Sequence, residues 1–471
     1  MSPYHKESKP PTIEVTFSVK PKQSGLTPRP VHSDFARTRR RFVYFNQQAE
    51  PVCRNHVETK TVGLKFEVHL LFPTAPIELP LSLKYNHILE KLTPRDIEIN
   101  IKKLSAEEEF PNLCKNQTCM ANVLTIQMYK RLRNRATQSG FTLDDVIQPG
   151  VDNPEHSCVR TTGCVAGDAE SYTVFMQFFD PLIELYHSGY KISEKHKSDM
   201  NPENLKGGDD LDGQYVLACR VSTGRNVDDF SFPPHCSRGE RRALEKLAIA
   251  ALNGLNDEFK GTYHSLKNLS EEDHRSLTDA GILTDYIVTP KMLSSGMARD
   301  WPDARGVWHN DMKNFIVWVN KEDHLRISSM QQGGNLKQAF VQYCLGLKKL
   351  EEIYHQKKHT FIWKDNLGYV LTCPSELGTG MQASVHIRLK YISKHEKFDE
   401  ILQRLRLEKN FTGAALVSTE SEVCDISNTD RIGISEVQLL QLVVDGIKLL
   451  INMDKHIEQG KPIHELIPAQ K

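Results

Sequence analysis

Thiols are the first residues in this sequence that could do chemistry, since the 471 residues include 10 cysteines. Cys114 and Cys119 lie close together, but no second cysteine pair follows them, which argues against a zinc site. The cysteine spacing shows no repeat, so we expect reduced thiols, as in a cytoplasmic protein. Cys373 has a hydroxyl neighbour at Ser375. Nearby positive charge and hydroxyls make a thiol reactive, whereas a thiol buried without them is structural. The sequence leaves both interpretations of Cys373 open.

A lone carboxylate and a run of arginines are further candidates. Glu322 lies in a polar stretch between two strand-like runs, where such a residue is usually a solvated surface group. Arg39, Arg40 and Arg41 are consecutive. Such a run is most often a solvated face. Neither feature establishes a function by itself.

The composition excludes several classes of protein. Lys+Arg and Asp+Glu both number 60, so the formal net charge is +0, whereas nucleic-acid-binding proteins usually carry a basic excess. No apolar run approaches the roughly 20 residues that a membrane-spanning helix needs. The start of the sequence also lacks the apolar segment of a signal peptide. We therefore expect a cytoplasmic protein of roughly two to four domains that binds neither nucleic acid nor membrane.

Residues 1–105 differ from the rest of the chain. Basic residues outnumber acidic ones there, and apolar residues alternate with other types over Ile13–Val19 and Val62–Leu70. Alternation with a period of two predicts β-strands, so we interpret 1–105 as a basic, β-rich N-terminal extension. It could be an ordered addition or a docking arm for a protein partner. A mitochondrial transit peptide is a third interpretation, because such peptides are Arg-rich and poor in acids.

The next segment, 106–200, reads as helical. Apolar spacing predicts a helix over Ala121–Arg135 and a second one near Tyr172–Tyr186. Pro149, Gly150 and Pro154 predict a turn and loop over Asp144–His156. The loop-like stretch at 202–212 suggests a domain boundary near 190–210.

Residues 201–471 mix strand and helix patterns. Four runs read as strands: Asn314–Asn320, Leu325–Ser329, Tyr369–Thr372 and Ser384–Leu389. Two capping boxes mark helix starts, Ser237 with Glu240 and Ser435 with Gln438. The whole pattern predicts an α+β or α/β domain of catalytic size.

Several long motifs in order identify a family. They are Pro233–Glu240, Arg299–Gly306 followed by Trp308–Asp311, Cys373–Gly380 and Ile467–Lys471. The chain resembles the phosphagen (guanidino) kinases through these motifs, and the creatine kinase branch in particular. The resemblance covers about residues 108–471 and leaves 1–105 unmatched. It implies a small all-helical domain at 106–200 and a catalytic-type domain at 201–471, with an antiparallel sheet flanked by helices.

The resemblance also implies a reaction and the residues for it. Phosphagen kinases transfer the γ-phosphoryl group of MgATP to a guanidinium nitrogen, which here would be that of creatine. The family surrounds the phosphates with five arginines, orients the guanidinium with a carboxylate and places a thiolate beside it. The catalytic residues would be Glu322 and Cys373, with Val159 and Cys373 contacting the substrate. The nucleotide-binding residues would be Arg220, Arg326, Thr412, Gly413 and Asp425. The resemblance implies no metal-binding protein ligands.

The sequence departs from the family at the phosphate site. Ser222, Gln382 and Asn410 stand where the family has arginine, and Lys321 stands where it has an acidic neighbour of the catalytic carboxylate. These changes predict a pseudokinase with a binding or structural role. The alternative is an active creatine kinase that uses Mg and ATP/ADP. Four residues that the family uses in a dimer contact are present, so we also expect a homodimer: Arg238, Arg242, Asp300 and Trp301.

Overall fold

The computed structural model describes residues 104–154, 161–283, 288–410 and 422–469, which all belong to one compact unit, Pro94–Lys471. The β-rich extension predicted for 1–105 lies almost wholly outside these residues. Its strands therefore stay a prediction.

Short helices form the first part of the described chain. They are α1 (Ala106–Glu109), α2 (Cys119–Val123), α3 (Ile126–Leu132), α4 (Leu143–Asp152), α5 (Ser171–Val174) and α6 (Met176–Tyr186). Their apolar faces share one core with residues such as Phe178 and Leu182, which are fully buried. The predicted helical domain is confirmed.

Two local predictions in this domain were wrong. The helix predicted over Ala121–Arg135 is broken between α2 and α3, because Thr125 caps a new helix by accepting a hydrogen bond from the Met128 amide at 3.2 Å. The loop predicted over Asp144–His156 is helix α4 in its first part. A capping box between Thr142 and Asp145 starts α4 and outweighs the breaking tendency of its Pro149 and Gly150.

An eight-stranded sheet forms the second part, in the order β2-β3-β4-β5-β1-β8-β10-β9. All its paired neighbours are antiparallel. The strands are β1 (Val216–Arg225), β2 (Gly261–Ser265), β3 (Gly306–Asn310), β4 (Phe315–Val319), β5 (Leu325–Gln332), β8 (Met381–Arg388), β9 (Leu407–Asn410) and β10 (Val423–Asn428). A separate pair consists of β6 (Trp363–Lys364) and β7 (Gly368–Tyr369), so the strand predicted over Tyr369–Thr372 is reduced to its first residue.

Helices pack around this sheet. They are α7 (Arg238–Leu252), α8 (Glu271–Asp279), α9 (Pro290–Ser294), α10 (Leu336–Gln356), α11 (Phe398–Arg404) and α12 (Glu436–Glu458). Leu277 of α8 packs with Ile316 and Trp318 of β4, on the face opposite α10. Helix α10 packs on β1, β4 and β5, and α12 packs on β8 and β10. Both predicted capping boxes are present, at the starts of α7 and α12. The α+β fold is confirmed.

Candidate active site

A cleft opens on the central strands, on the face opposite α10 and α12. In β1, Cys219 and Val221 point into the core, so the alternate residues Arg220 and Ser222 face the cleft. Its cavity has a volume of about 230 Å³. The lining residues come from five strands and the turn before β5: Arg220, Ser222, Lys321, Glu322, Asp323, Arg326, Gln382, Ser384, Asn410 and Asp425.

Strand register brings the predicted phosphate positions together. Ser222 on β1 lies directly opposite Gln382 on β8, and Asn410 on β9 lies opposite Asp425 on β10. Arg326 Nη2 donates to Ser222 Oγ at 3.4 Å and to Gln382 Oε1 at 3.3 Å. Ser222, Gln382 and Asn410, for which the resemblance predicts arginine in the family, therefore all line the cleft that also holds Arg220 and Arg326.

Arg326 already has an anionic partner inside the chain. Its Nη1 donates to Glu376 Oε2 at 3.1 Å, and the other carboxylate oxygen lies 3.5 Å from Arg431 Nε. Desolvation by burial acts to raise the pKa of Glu376, but Arg431 and Arg326 outweigh it and hold that pKa at about 2. Glu376 is thus an ionised carboxylate between two arginines. Sequence analysis did not assign it a role.

Cys373 lies where the helical domain meets the sheet domain. Its Sγ is 3.0 Å from Ser375 Oγ and 3.4 Å from Thr162 Oγ1, and the side chain is buried. Lys291, at the start of α9, donates from Nζ to the same sulfur at 3.4 Å. The structure therefore surrounds this thiol with two hydroxyls and a cation. Only Ser375 could be anticipated, because it is a sequence neighbour.

Glu322 lines the cleft from the turn between β4 and β5, beside the buried Asp323. Asp323 Oδ1 accepts hydrogen bonds from Asn226 Nδ2 and from the Thr372 amide, both at 2.8 Å. Burial raises the pKa of Asp323, although these donors favour its charged form. Asp323 thereby ties the turn that carries Glu322 to the segment that carries Cys373.

Asp425 is also in the cleft, where its carboxylate lies 3.3 Å from His386 Nδ1 and raises the pKa of that histidine. Three predicted site residues, Val159, Thr412 and Gly413, lie outside the described residues. Within the part of the chain that the structure describes, no three His, Cys, Asp or Glu side chains are grouped to hold a metal ion. In the same ranges, no helix is both long and apolar enough to cross a membrane.

Comparison with known proteins bears on what such a cleft does. The model of the ATP:guanido phosphotransferase C-terminal catalytic domain matches residues 243–457, and that of the N-terminal domain of the same family matches residues 114–184. The chain belongs to this phosphotransferase family. Members of the family use MgATP or MgADP with a guanidino substrate. The resemblance noted in the sequence is thereby confirmed.

Relatives of known name lie within the family. The chain is 58% identical over 369 residues to creatine kinase M-type of Gallus gallus, covering 78% of this chain and 97% of that protein. It is 58% identical over 365 residues to creatine kinase M-type of Homo sapiens, covering 78% of this chain and 96% of that protein. A region of ~100 residues at the N-terminus is not covered by the relatives.

Solved structures agree with the fold. A crystal structure of lombricine kinase is 40% identical, with a TM-score of 0.73, and the match covers 78% of this chain and 100% of that one. The substrate-free duplicated taurocyamine kinase from Schistosoma mansoni is 28% identical, with a TM-score of 0.66, covering 78% of this chain and 50% of that one. Both neighbours are phosphagen kinases by name.

Proposed function

We propose that this chain is a creatine-kinase-like pseudokinase, which transfers phosphoryl groups very slowly or not at all and acts as a binding or structural protein. One observation carries the proposal. Ser222, Gln382 and Asn410, which replace family arginines, line the same cleft as the two arginines that remain, Arg220 and Arg326. By the resemblance, the cleft therefore keeps two of the five arginines that the family places around the phosphates.

Charge is what phosphoryl transfer needs from the protein. The transferred group carries negative charge over its oxygens, and catalysis depends on alignment and on cations around it. The cleft contributes the cations Arg220, Lys321 and Arg326 and an equal number of carboxylates, those of Glu322, Asp323 and Asp425. Lys321 is a point charge and does not reproduce the forked guanidinium of arginine. A bound nucleotide would thus meet a cleft with no excess of positive charge.

The expected loss of rate is large. A hydrogen bond to a charged group contributes roughly 1.5–3 kcal/mol, so three lost arginines remove roughly 5–9 kcal/mol if their effects add. At about 1.4 kcal/mol per tenfold, this corresponds to roughly 10³–10⁶ in rate. Ground-state binding of MgATP needs fewer simultaneous contacts and is weakened less.

An active creatine kinase is the second candidate, and the retained substrate half of the site favours it. Glu322 would orient the guanidinium of creatine and Cys373 would lie beside it, with Val159 contacting the substrate. Arg220, Arg326, Thr412, Gly413 and Asp425 would contact the nucleotide. Mg and ATP/ADP would then take part in phosphoryl transfer between MgATP and creatine.

The proposal extends to assembly and location by the same resemblance. The family's dimer-contact residues are present, and Arg238 and Asp300 among them form an ion pair at 2.6 Å within the chain. We propose a cytoplasmic homodimer whose N-terminal extension, 1–105, docks on a protein partner.

Restoring the arginines tests the pseudokinase proposal. We expect the triple variant Ser222→Arg, Gln382→Arg, Asn410→Arg to form ATP from phosphocreatine and MgADP at least about tenfold faster than the unmodified chain, since each arginine restores transition-state charge. Adding Glu322→Gln should abolish the gain. A triple variant that folds and shows no gain would contradict the proposal.

A further inference from the structure

Two charged side chains at the site are not accounted for by the proposed function. Glu376 ends the short 3₁₀ turn Pro374–Glu376 that follows Cys373, and Lys291 lies at the second residue of α9. Neither belongs to the sheet that forms the floor of the cleft. Each reaches a group that the proposed function assigns to a substrate.

Glu376 forms an ion pair with the guanidinium of Arg326. The Glu376 carboxylate contacts Nη1 of Arg326 at 3.1 Å, while Nη2 faces the neutral oxygens of Ser222 and Gln382. The Arg326 and Glu376 side chains are only 18% and 20% exposed. Ion pairs between guanidinium and carboxylate are among the strong hydrogen bonds of proteins. A phosphate group would have to displace this carboxylate before it could use Arg326.

Lys291 occupies the corresponding place beside the thiol. Its Nζ is 3.4 Å from Cys373 Sγ. Cys373 raises the pKa of Lys291 against the opposing effect of desolvation, and the carboxylates of Glu322 and Glu376 raise it further. The Lys291 ammonium thus interacts electrostatically with Cys373 and Glu322, the two groups that are proposed to hold a guanidinium. The same groups cannot neutralise both the ammonium and a substrate guanidinium.

We propose that Glu376 and Lys291 weaken the binding of phosphate and guanidinium groups in the cleft. Glu376 takes the place of a phosphate on Arg326, and Lys291 takes the place of a guanidinium beside Cys373. The inference rests on the proposed function for the identity of the two places, but it concerns binding rather than turnover. Because both groups belong to the chain, a ligand competes with partners of high effective concentration. Arg326 and Cys373 thereby have charged partners within the chain when no substrate is bound.

Calorimetric titration of the full chain with MgADP tests the anionic half. We expect Glu376→Gln to bind MgADP at least about tenfold more tightly than the unmodified chain, because the amide has no charge to compete for Arg326. Glu408→Gln is the matched control, since Glu408 pairs with Arg431 at 3.7 Å. It should change the affinity less than twofold. Glu376→Asn is measured in the same way if Glu376→Gln does not melt cooperatively.

Creatine tests the cationic half. We expect Lys291→Met to bind creatine at least about tenfold more tightly than the unmodified chain. Creatine should then slow iodoacetamide labelling of Cys373, followed by mass spectrometry of the peptide that contains it. Lys195→Met is the control, because Lys195 is an exposed lysine outside the cleft that pairs with Asp365 at 3.0 Å. It should give neither effect.

These outcomes separate the inference from the proposed function. Folded Glu376 and Lys291 variants that bind MgADP and creatine no better than the unmodified chain would overturn the inference, whatever the rate of phosphoryl transfer. Tight binding of both ligands by the unmodified chain would overturn it as well and would leave the pseudokinase proposal standing. Tighter binding by both variants, with transfer still slow, would support both.

Discussion

Single side chains set the electrostatic character of the cleft. Ser222, Gln382 and Asn410 keep its polarity but contribute no charge, and Glu376 neutralises part of what Arg326 still offers. Hydrogen bonds within the chain engage these amides: Asn410 Nδ2 donates to Ser427 Oγ at 2.8 Å, and Gln382 Nε2 donates to the same oxygen at 3.3 Å. A phosphate would have to compete with these contacts.

The Glu376 pair should be visible as a pH dependence of stability. The pKa of Glu376 is about 2 in the folded chain, against an ordinary value of 4.5. The unfolded chain therefore takes up the proton first as pH falls, so the pair's stabilisation is complete above about pH 4.5 and is lost as pH approaches 2. Urea unfolding at several pH values should show the stability difference between the unmodified chain and Glu376→Gln shrinking over this interval. A difference independent of pH would contradict the assignment of that pKa.

Sequence motifs located part of this site and missed the rest for a physical reason. Glu322 and Cys373 could be named because each lies within a recognisable run. Lys291 could not, because its contact with Cys373 joins residues far apart in the chain. Glu376 lies inside the Cys373–Gly380 motif, but its ion pairs with Arg326 and Arg431 depend on strand placement. The sequence shows which residue types lie in a motif, but only the folded structure shows which residues they contact.

At the scale of elements, caps and alternation decide the architecture. Residues on β1 and β8 alternate between the core and the cleft, so each of these strands supplies residues to both. The strands at Phe315–Val319 and Leu325–Gln332 were predicted as strand-like runs, and the first is a continuous apolar run that is buried throughout. Helix α4 was missed because Pro149 and Gly150 suggest a loop. Its cap at Thr142 and its buried Val146 outweigh them.

The start of α12 offers a test of capping. The Gln438 amide donates to Ser435 Oγ at 3.4 Å, and the Ser435 amide donates to Gln438 Oε1 at 3.1 Å. Ser435→Ala should lower the free energy of unfolding by about 1 kcal/mol, because an orphan amide loses its acceptor. Denaturant unfolding measures this loss. Ser435→Asp retains a capping oxygen and should cost less, and equal losses for the two variants would show that the cap is not the cause.

At the scale of the whole molecule, the two domains meet around Cys373. The Tyr172 hydroxyl donates to the Leu371 carbonyl at 2.8 Å, and the Ala166 amide donates to the Thr372 carbonyl at 2.8 Å. His187 Nε2 lies 2.9 Å from the Pro374 carbonyl oxygen. The segment that carries the thiol is therefore held by the helical domain. Changes in these hydrogen bonds would therefore alter the position of Cys373.

Assembly can be tested on the full chain. We expect a homodimer, because a two-fold contact needs the same patch on both subunits and the residues that the family uses for it are present. Light scattering at micromolar concentration should give twice the mass of one chain. Trp301→Ala combined with Arg242→Glu should shift the mass towards one chain, whereas Lys358→Glu, an exposed charge reversal elsewhere, should leave it unchanged. A single-chain mass for the unmodified protein would contradict the expectation.

The rate of ATP formation from phosphocreatine and MgADP by the unmodified chain tests the central claim most directly. Creatine kinase M-type of Gallus gallus, which is 58% identical, is the reference under the same conditions. We expect a turnover at least about a thousandfold below that reference, because three phosphate-site arginines are replaced by neutral residues. Turnover equal to the reference would show that the cleft needs none of the lost charge, and would contradict the pseudokinase proposal.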